Sequence, residues 1–200
     1  MIQIRFEGLQ DAPALSALSR SPVVLGCGAE PSTAPYHRSM REDHRNARRV
    51  ADAAAAAGLA IAIRHVPEGA RTAADAAAAI GCDVAQIVKS LVFMADDRPV
   101  VALLSGTDRL DTGRLAAELG AASVRRATGA EARDATGFPI GGVPPIGYIR
   151  PLTVLLDAGL LEHDEVWAAA GLPDAVFPVA PADLGHAAGA RTVHIAEDRA

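Results

Sequence analysis

Lys89 is the single lysine among nineteen basic residues; the other eighteen are arginines. It sits in the apolar run Gln86-Ile-Val-Lys89-Ser-Leu-Val-Phe93. Alternation along a strand sets Lys89 on the face opposite Val88 and Ser90. A desolvated ammonium is costly unless it meets an anion or polarises a neighbouring group. A snorkelling surface lysine is the alternative. Because arginine serves every other basic position, Lys89 reads as a place that requires a compact point charge rather than a planar fork.

A second stretch with chemical potential is Gly137-Phe-Pro-Ile-Gly141-Gly142-Val-Pro144-Pro145-Ile-Gly147. Glycines let backbone N–H groups approach a ligand, and the two prolines fix the local chain. That combination suits a rigid rim whose amides hold a carbonyl or a developing oxyanion. No Gly-Lys-Ser/Thr follows, so the loop is not a phosphate-cradling one, and its spacing does not fit a dinucleotide fingerprint.

Other reactive types are scattered. The six histidines show no ligand spacing with cysteine or acid, so no metal and no cofactor is expected. Of them only His65, at a strand end before a loop, is a candidate, with a half-exposed loop histidine as the alternative reading. No Ser-His-Asp or Cys-His arrangement emerges from the spacing. Cys27 and Cys82 form no Cys-x-x-Cys pair and no disulfide framework, which fits a reducing compartment.

The elements that must carry these residues can be read from periodicity and punctuation. Residues 43–57 predict a helix ended by Gly58, and Ile61–Val66 a short strand. Thr72 is a suitable N-cap for a helix over 73–80 that stops at Gly81. Ile87–Met94 and Val100–Ser105 predict a hairpin turning at Asp96-Asp-Arg-Pro99. Helices over 112–119, 129–135 (capped by Thr128) and 181–188 alternate with strands over 123–126, 152–157, 165–169, 176–179 and 192–195. The expected class is α+β: one domain with a mixed, partly antiparallel sheet flanked by short helices. Residues 1–40 hold four prolines and no sustained period, and are expected to be a loosely ordered extension ahead of a domain over 41–200. Met40, just ahead of the helical pattern, is a second candidate for the start of translation.

Half of the 200 residues are hydrophobic and 22% are charged, enough to bury a core and to exclude wholesale disorder. Aromatics are only 4%, so that core is built from small side chains. The formal charge of −5 argues against a broad nucleic-acid coat and against DNA as partner. The first residues lack the basic-then-apolar order of a signal peptide, and no apolar run is long enough to span a membrane. A cytoplasmic protein without membrane association is expected.

Taken together, Thr72-Ala-Ala-Asp-Ala-Ala, Ile87-Val-Lys89-Ser-Leu-Val-Phe, Gly141-Gly-Val-Pro-Pro145-Ile-Gly147, Ala170-Gly171 and Pro181-Ala-Asp-Leu184 resemble the YbaK family. This is the aminoacyl-tRNA editing domain, also found inserted in bacterial prolyl-tRNA synthetases. The similarity runs in order over roughly residues 45–198. It implies a freestanding trans-editing deacylase, a hydrolase that cleaves the ester of a mischarged aminoacyl-tRNA. The implied substrate is tRNA-Pro carrying a small amino acid, and the implied partners are the aminoacyl-tRNA acceptor end and a prolyl-tRNA synthetase.

By the same resemblance, Lys89 matches the pocket lysine, Gly141 the first glycine of the carbonyl-holding loop, and Pro145 its fixed end. These three are the expected catalytic positions, and Thr72, Gly142, Gly147, Gly171 and His65 are the expected substrate-binding ones. Arg64, Arg71, Arg125 and Arg126 are candidates, by position, for a small basic rim around a single-stranded end. Two departures matter. Pro144 stands where many relatives carry Ser or Thr, and the serine of some cysteine-specific members is alanine near Gly171. Alanyl or another small aminoacyl group therefore remains open. The competing readings are a noncatalytic module that binds a tRNA end or small ligand beside a synthetase, and a hydrolase of some other small ester.

Overall fold

A computed structural model describes residues 34–66 and 72–198. The Asp96–Asp97 turn organises its centre. Both residues take positive φ, 45° and 61°, the left-handed pair that matches a tight hairpin to the twist of its strands. It joins β2 (Val88–Ala95) to β3 (Arg98–Ser105) in register from Val88 opposite Ser105 to Ala95 opposite Arg98. The Asp96 carboxylate accepts hydrogen bonds from the Ala122 and Ser123 amides, which fastens the turn to the chain entering β4 (Val124–Arg126).

Five strands make the main sheet, in the order β4-β2-β3-β5-β8. Here β5 (Thr153–Asp157) runs parallel to β3 and β8 (Arg191–Val193) runs parallel to β5, while β4 and β2 are antiparallel to their neighbours. A smaller antiparallel sheet, β1-β7-β6, combines β1 (Arg64–His65), β7 (Ala175–Val179) and β6 (Val166–Leu172). An isolated bridge between Ile87 and Trp167 ties the two sheets together.

The central sheet is apolar on both faces, as strand alternation requires. Val88, Val92, Val101, Leu103, Val154 and Leu156 pack towards β6, β7 and the long helix α1 (Ala34–Ala56). Phe93, Val100, Ala102, Leu104 and Leu155 pack on Leu115 of α3 (Thr112–Leu119) and on Ile195. A third, smaller cluster sets Ala77 of α2 (Ala73–Ile80) against Ile87, Trp167 and Val176. Small side chains allow these layers to approach closely, in keeping with the low aromatic content.

The expected α+β class with a mixed sheet holds, and most elements fall where periodicity puts them. Two differ. The helix expected from 43 begins at Ala34. The strand expected over Ile61–Val66 is confined to Arg64 and His65, paired with Val176 and Ala175 of β7, and the Val66 amide then donates to the Asp174 carbonyl in the turn before β7. The expected extension lies outside the described residues up to residue 33. Among the described residues no helix is long and apolar enough to cross a membrane.

Candidate functional site

The cavity exists because β4 is short. Strand β4 pairs with β2 only at Phe93, Met94 and Ala95, and the Ala127 amide then donates to the Val92 carbonyl. Beyond that point the chain leaves the sheet for α4 (Gly129–Thr136), whose N-cap is Thr128. The edge of β2 over Val88–Leu91 is thereby left open to a cavity of about 310 Å³. Its walls come from α2, from β6 and β7, from Arg126 and Ala127, and from the loop carrying Ile140, Gly141 and Val143.

Lys89, Thr72 and Gly141 all line this cavity, so the structure brings together three residues separated by up to sixty-nine positions in sequence. The Lys89 ammonium donates to the backbone carbonyl of Asp108 and is half-buried. Burial pushes its pKa below the ordinary lysine value; Asp108 opposes that shift, while Arg126 and Arg109 reinforce it. Thr72 is also the N-cap of α2: its hydroxyl accepts from the Asp75 amide at 3.1 Å and its own amide donates to the Asp75 carboxylate at 3.0 Å.

Gly141 has φ 92° with open space where a Cβ would lie, so here conformation, not crowding, calls for glycine. The Gly142 amide is taken by the Pro139 carbonyl at 3.2 Å. The amides of Gly141 and Val143 have no backbone partner among the described residues. These are the donors a carbonyl oxygen could meet at the rim.

The remaining expected positions do not line the cavity. Gly142 makes room for the chain at Leu172 and Pro173, where an added Cβ would come within 2.9 Å of a backbone carbon. Pro145 is buried within its loop. At Gly147 and Gly171 the missing side chain makes space for α1: a Cβ would meet the Arg49 carbonyl oxygen and the Asn46 carbonyl oxygen, each at 3.1 Å. His65 is exposed on β1 with its Nδ1 3.4 Å from an Asp174 carboxylate oxygen.

Of the rim arginines, Arg126 lines the cavity and Arg64 lies 5.1 Å from the Trp167 ring centroid, on the wall that Trp167 forms. Arg125 is engaged by Glu131 at 2.6 Å, and Arg71 lies outside the described residues.

Two further lining residues, Trp167 and Ser90, are not among the expected site positions. Trp167, the only tryptophan, could have been noticed by its rarity. Ser90 contributes a buried hydroxyl that has no partner among the described residues, on the face of β2 opposite the Lys89 side chain. Its type gives no signal of that. No group of three His, Cys, Asp or Glu among the described residues could hold a metal ion.

Known proteins resemble this chain in sequence and in fold. A family model for the aminoacyl-tRNA editing domain matches residues 67–186. A solved structure of a candidate trans-editing enzyme for prolyl tRNA synthetase is 43% identical, with a TM-score of 0.73, covering 76% of this chain and 98% of that one. A second solved structure, of a hypothetical protein, is 29% identical with a TM-score of 0.70, covering 74% of this chain and 99% of that one. Among curated proteins, the proline–tRNA ligase of Streptococcus gordonii is 39% identical over 72 residues, 36% of this chain and 12% of the ligase. That of Lactococcus lactis subsp. lactis is 43% identical over 65 residues, 32% of this chain and 11% of the ligase. The matched stretch is thus a small part of those ligases.

Proposed function

This chain belongs to the aminoacyl-tRNA editing domain family, and from that membership we propose that it hydrolyses, in trans, the ester of a mischarged aminoacyl-tRNA, with tRNA-Pro carrying a small amino acid as substrate. The observation that carries the reading is the shared cavity of Lys89 and Gly141, at the open edge of β2 and beside two uncommitted amides.

The chemistry asks for little machinery. Water adds to the ester carbonyl, the carbonyl oxygen carries the developing negative charge, and the bond to the ribose oxygen then breaks. The proton lost by water passes to that ribose oxygen, releasing free amino acid and uncharged tRNA. The amides of Gly141 and Val143 receive the developing oxyanion, and the cavity holds the ester in place. Lys89 supplies the positive charge that steadies the acceptor end or the substrate, and Arg126 extends it at the mouth. The apolar lining from Ala73, Ala76, Ala169 and Ala175 suits a small side chain. Such a second site is useful because a synthetase rejects an amino acid lacking one methylene by only about 1–3 kcal/mol.

The test is single-turnover deacylation of tRNA-Pro charged with alanine, cysteine or serine, comparing wild type with Lys89→Ala. Hydrolysis of at least one substrate is expected, with a fall of about a hundredfold in the variant. Equal rates for the two proteins on every substrate would remove Lys89 from the site. Tight, salt-sensitive binding of charged tRNA without hydrolysis would replace the deacylase with a binding module.

A further inference from the structure

Helix α1 ends at Ala56, ahead of the residues that the family model matches, yet one of its side chains reaches the loop on which the proposed oxyanion site depends. The Arg49 guanidinium donates through Nε to the Gly147 carbonyl at 2.9 Å and through Nη2 to the Gly137 carbonyl at 3.1 Å. It also lies 3.9 Å from the centroid of the Phe138 ring. Gly137 and Gly147 are the two ends of the glycine–proline loop, so one planar cation ties its neck shut. The helix backbone is held close behind: at Gly147 an added Cβ would lie 3.1 Å from the Arg49 carbonyl oxygen.

The loop between these ties carries Gly141 at the cavity wall. Its far side rests on Leu172 and Pro173 through Gly142. With both supports in place, the amides of Gly141 and Val143 are fixed relative to the edge of β2. The Ile149 amide also donates to the Thr136 carbonyl at 3.2 Å across this neck, and Phe138, Val143 and Ile146 are buried in the core, so loss of Arg49 removes the side-chain tie between Gly137 and Gly147 and loosens the loop without releasing it.

The geometry points to Arg49 as a positioning residue that sets the Gly141 and Val143 amides for the reaction through the two ends of their loop. This rests on the deacylase reading above. A planar fork is needed, because a lysine at the same position presents one point of charge and cannot reach both carbonyls in a fixed geometry. Misplacement of a catalytic group by about 1 Å costs on the order of a hundredfold in rate. The tRNA itself would be contacted by other residues, so its binding should change little.

The experiment compares wild type, Arg49→Ala and Arg49→Lys by deacylation kinetics, thermal denaturation and hydrogen exchange. The expected result is a fall in kcat of about a hundredfold for Arg49→Ala and about tenfold for Arg49→Lys, with KM for charged tRNA within about threefold of wild type. Methylguanidinium added in solution should restore part of the rate of Arg49→Ala and none of that of Arg49→Lys. Exchange at the amides of Gly141, Gly142 and Val143 should rise by about tenfold in both variants, with β2 and β3 unchanged.

Wild-type kcat and wild-type loop exchange in both variants would overturn the inference. So would a loss of kcat accompanied by faster exchange throughout the sheet, which marks general destabilisation. If Arg49→Ala does not fold, Arg49→Lys, which keeps the charge and the aliphatic stem, decides by the same criteria. If wild type hydrolyses no charged tRNA, the deacylase reading fails, and the loop exchange alone decides whether Arg49 pins the neck.

Discussion

Lys89 joins a strand and a cavity through one charge. Its ammonium donates to the Asp108 carbonyl, and burial holds its pKa below the ordinary 10.5. The cationic form therefore gives way at a lower pH than for a free lysine. If the charge assists deacylation, the rate above the hydroxide background should begin to fall below pH 10.5, which a pH–rate profile measures directly. In Lys89→Arg the cation persists beyond pH 12 or so, so whatever rate the variant retains should lack this fall; a limb that survives in the variant would assign it to another group. The type and solitude of Lys89 were legible in the sequence. Its Asp108 partner was not, because that contact is made by a backbone carbonyl, which every residue carries.

Helix α4 shows how an element at the margin of the site is held, for its Ala132 lines the cavity. Thr128 and Glu131 form a reciprocal cap, each side chain accepting from the other's backbone amide. Glu131 also takes both guanidinium nitrogens of Arg125 at 2.6 and 2.9 Å. The Arg125 bonds first, then those from Thr128, lower the Glu131 pKa from 4.5 to about 2. A carboxylate held below its unfolded value stabilises the fold above that value, and the contribution is lost as pH falls through the folded one. Glu131→Gln should therefore be less stable than wild type near neutrality. The two denaturation curves should converge as pH drops from 4.5 to about 2. A constant gap across that window would remove the ion pair from the stability of α4. The cap was readable, since Thr-x-x-Glu is a local pattern. The role of Arg125 was not: its position in the sequence sets it at the basic rim, and the fold engages it with Glu131 of the cap.

At the scale of the molecule, two glycines decide how α1 meets the sheet. Gly171 has φ 87°, and an added Cβ would lie 2.8 Å from Phe138 Cε1 and 3.1 Å from the Asn46 carbonyl oxygen. Gly171→Ala should lower stability by about 1–3 kcal/mol, measured by thermal or chemical denaturation. Because Phe138 lies under Arg49, the same variant should also loosen the neck of the loop; an unchanged melting midpoint would show that the contact yields without cost. The resemblance sets Gly147 and Gly171 among substrate-binding positions; in the fold an added Cβ at either one would meet the backbone of α1. A glycine tolerated for close approach looks the same in sequence whether the neighbour is a ligand or a helix.

By itself the sequence determined the α+β class, nearly every strand and helix, the hairpin and the caps, and it singled out Lys89, Gly141 and Thr72, which the fold sets around one cavity. All of these depend on residue type, on period or on contacts within a few positions. Only the tertiary structure decided that β4 stops short and opens the edge of β2, that Ser90 and Trp167 are among the residues lining the resulting cavity, and that Arg49 bridges the two ends of a loop roughly ninety residues away. Such contacts join distant segments through backbone carbonyls and missing side chains. Neither leaves a distinctive letter in the chain.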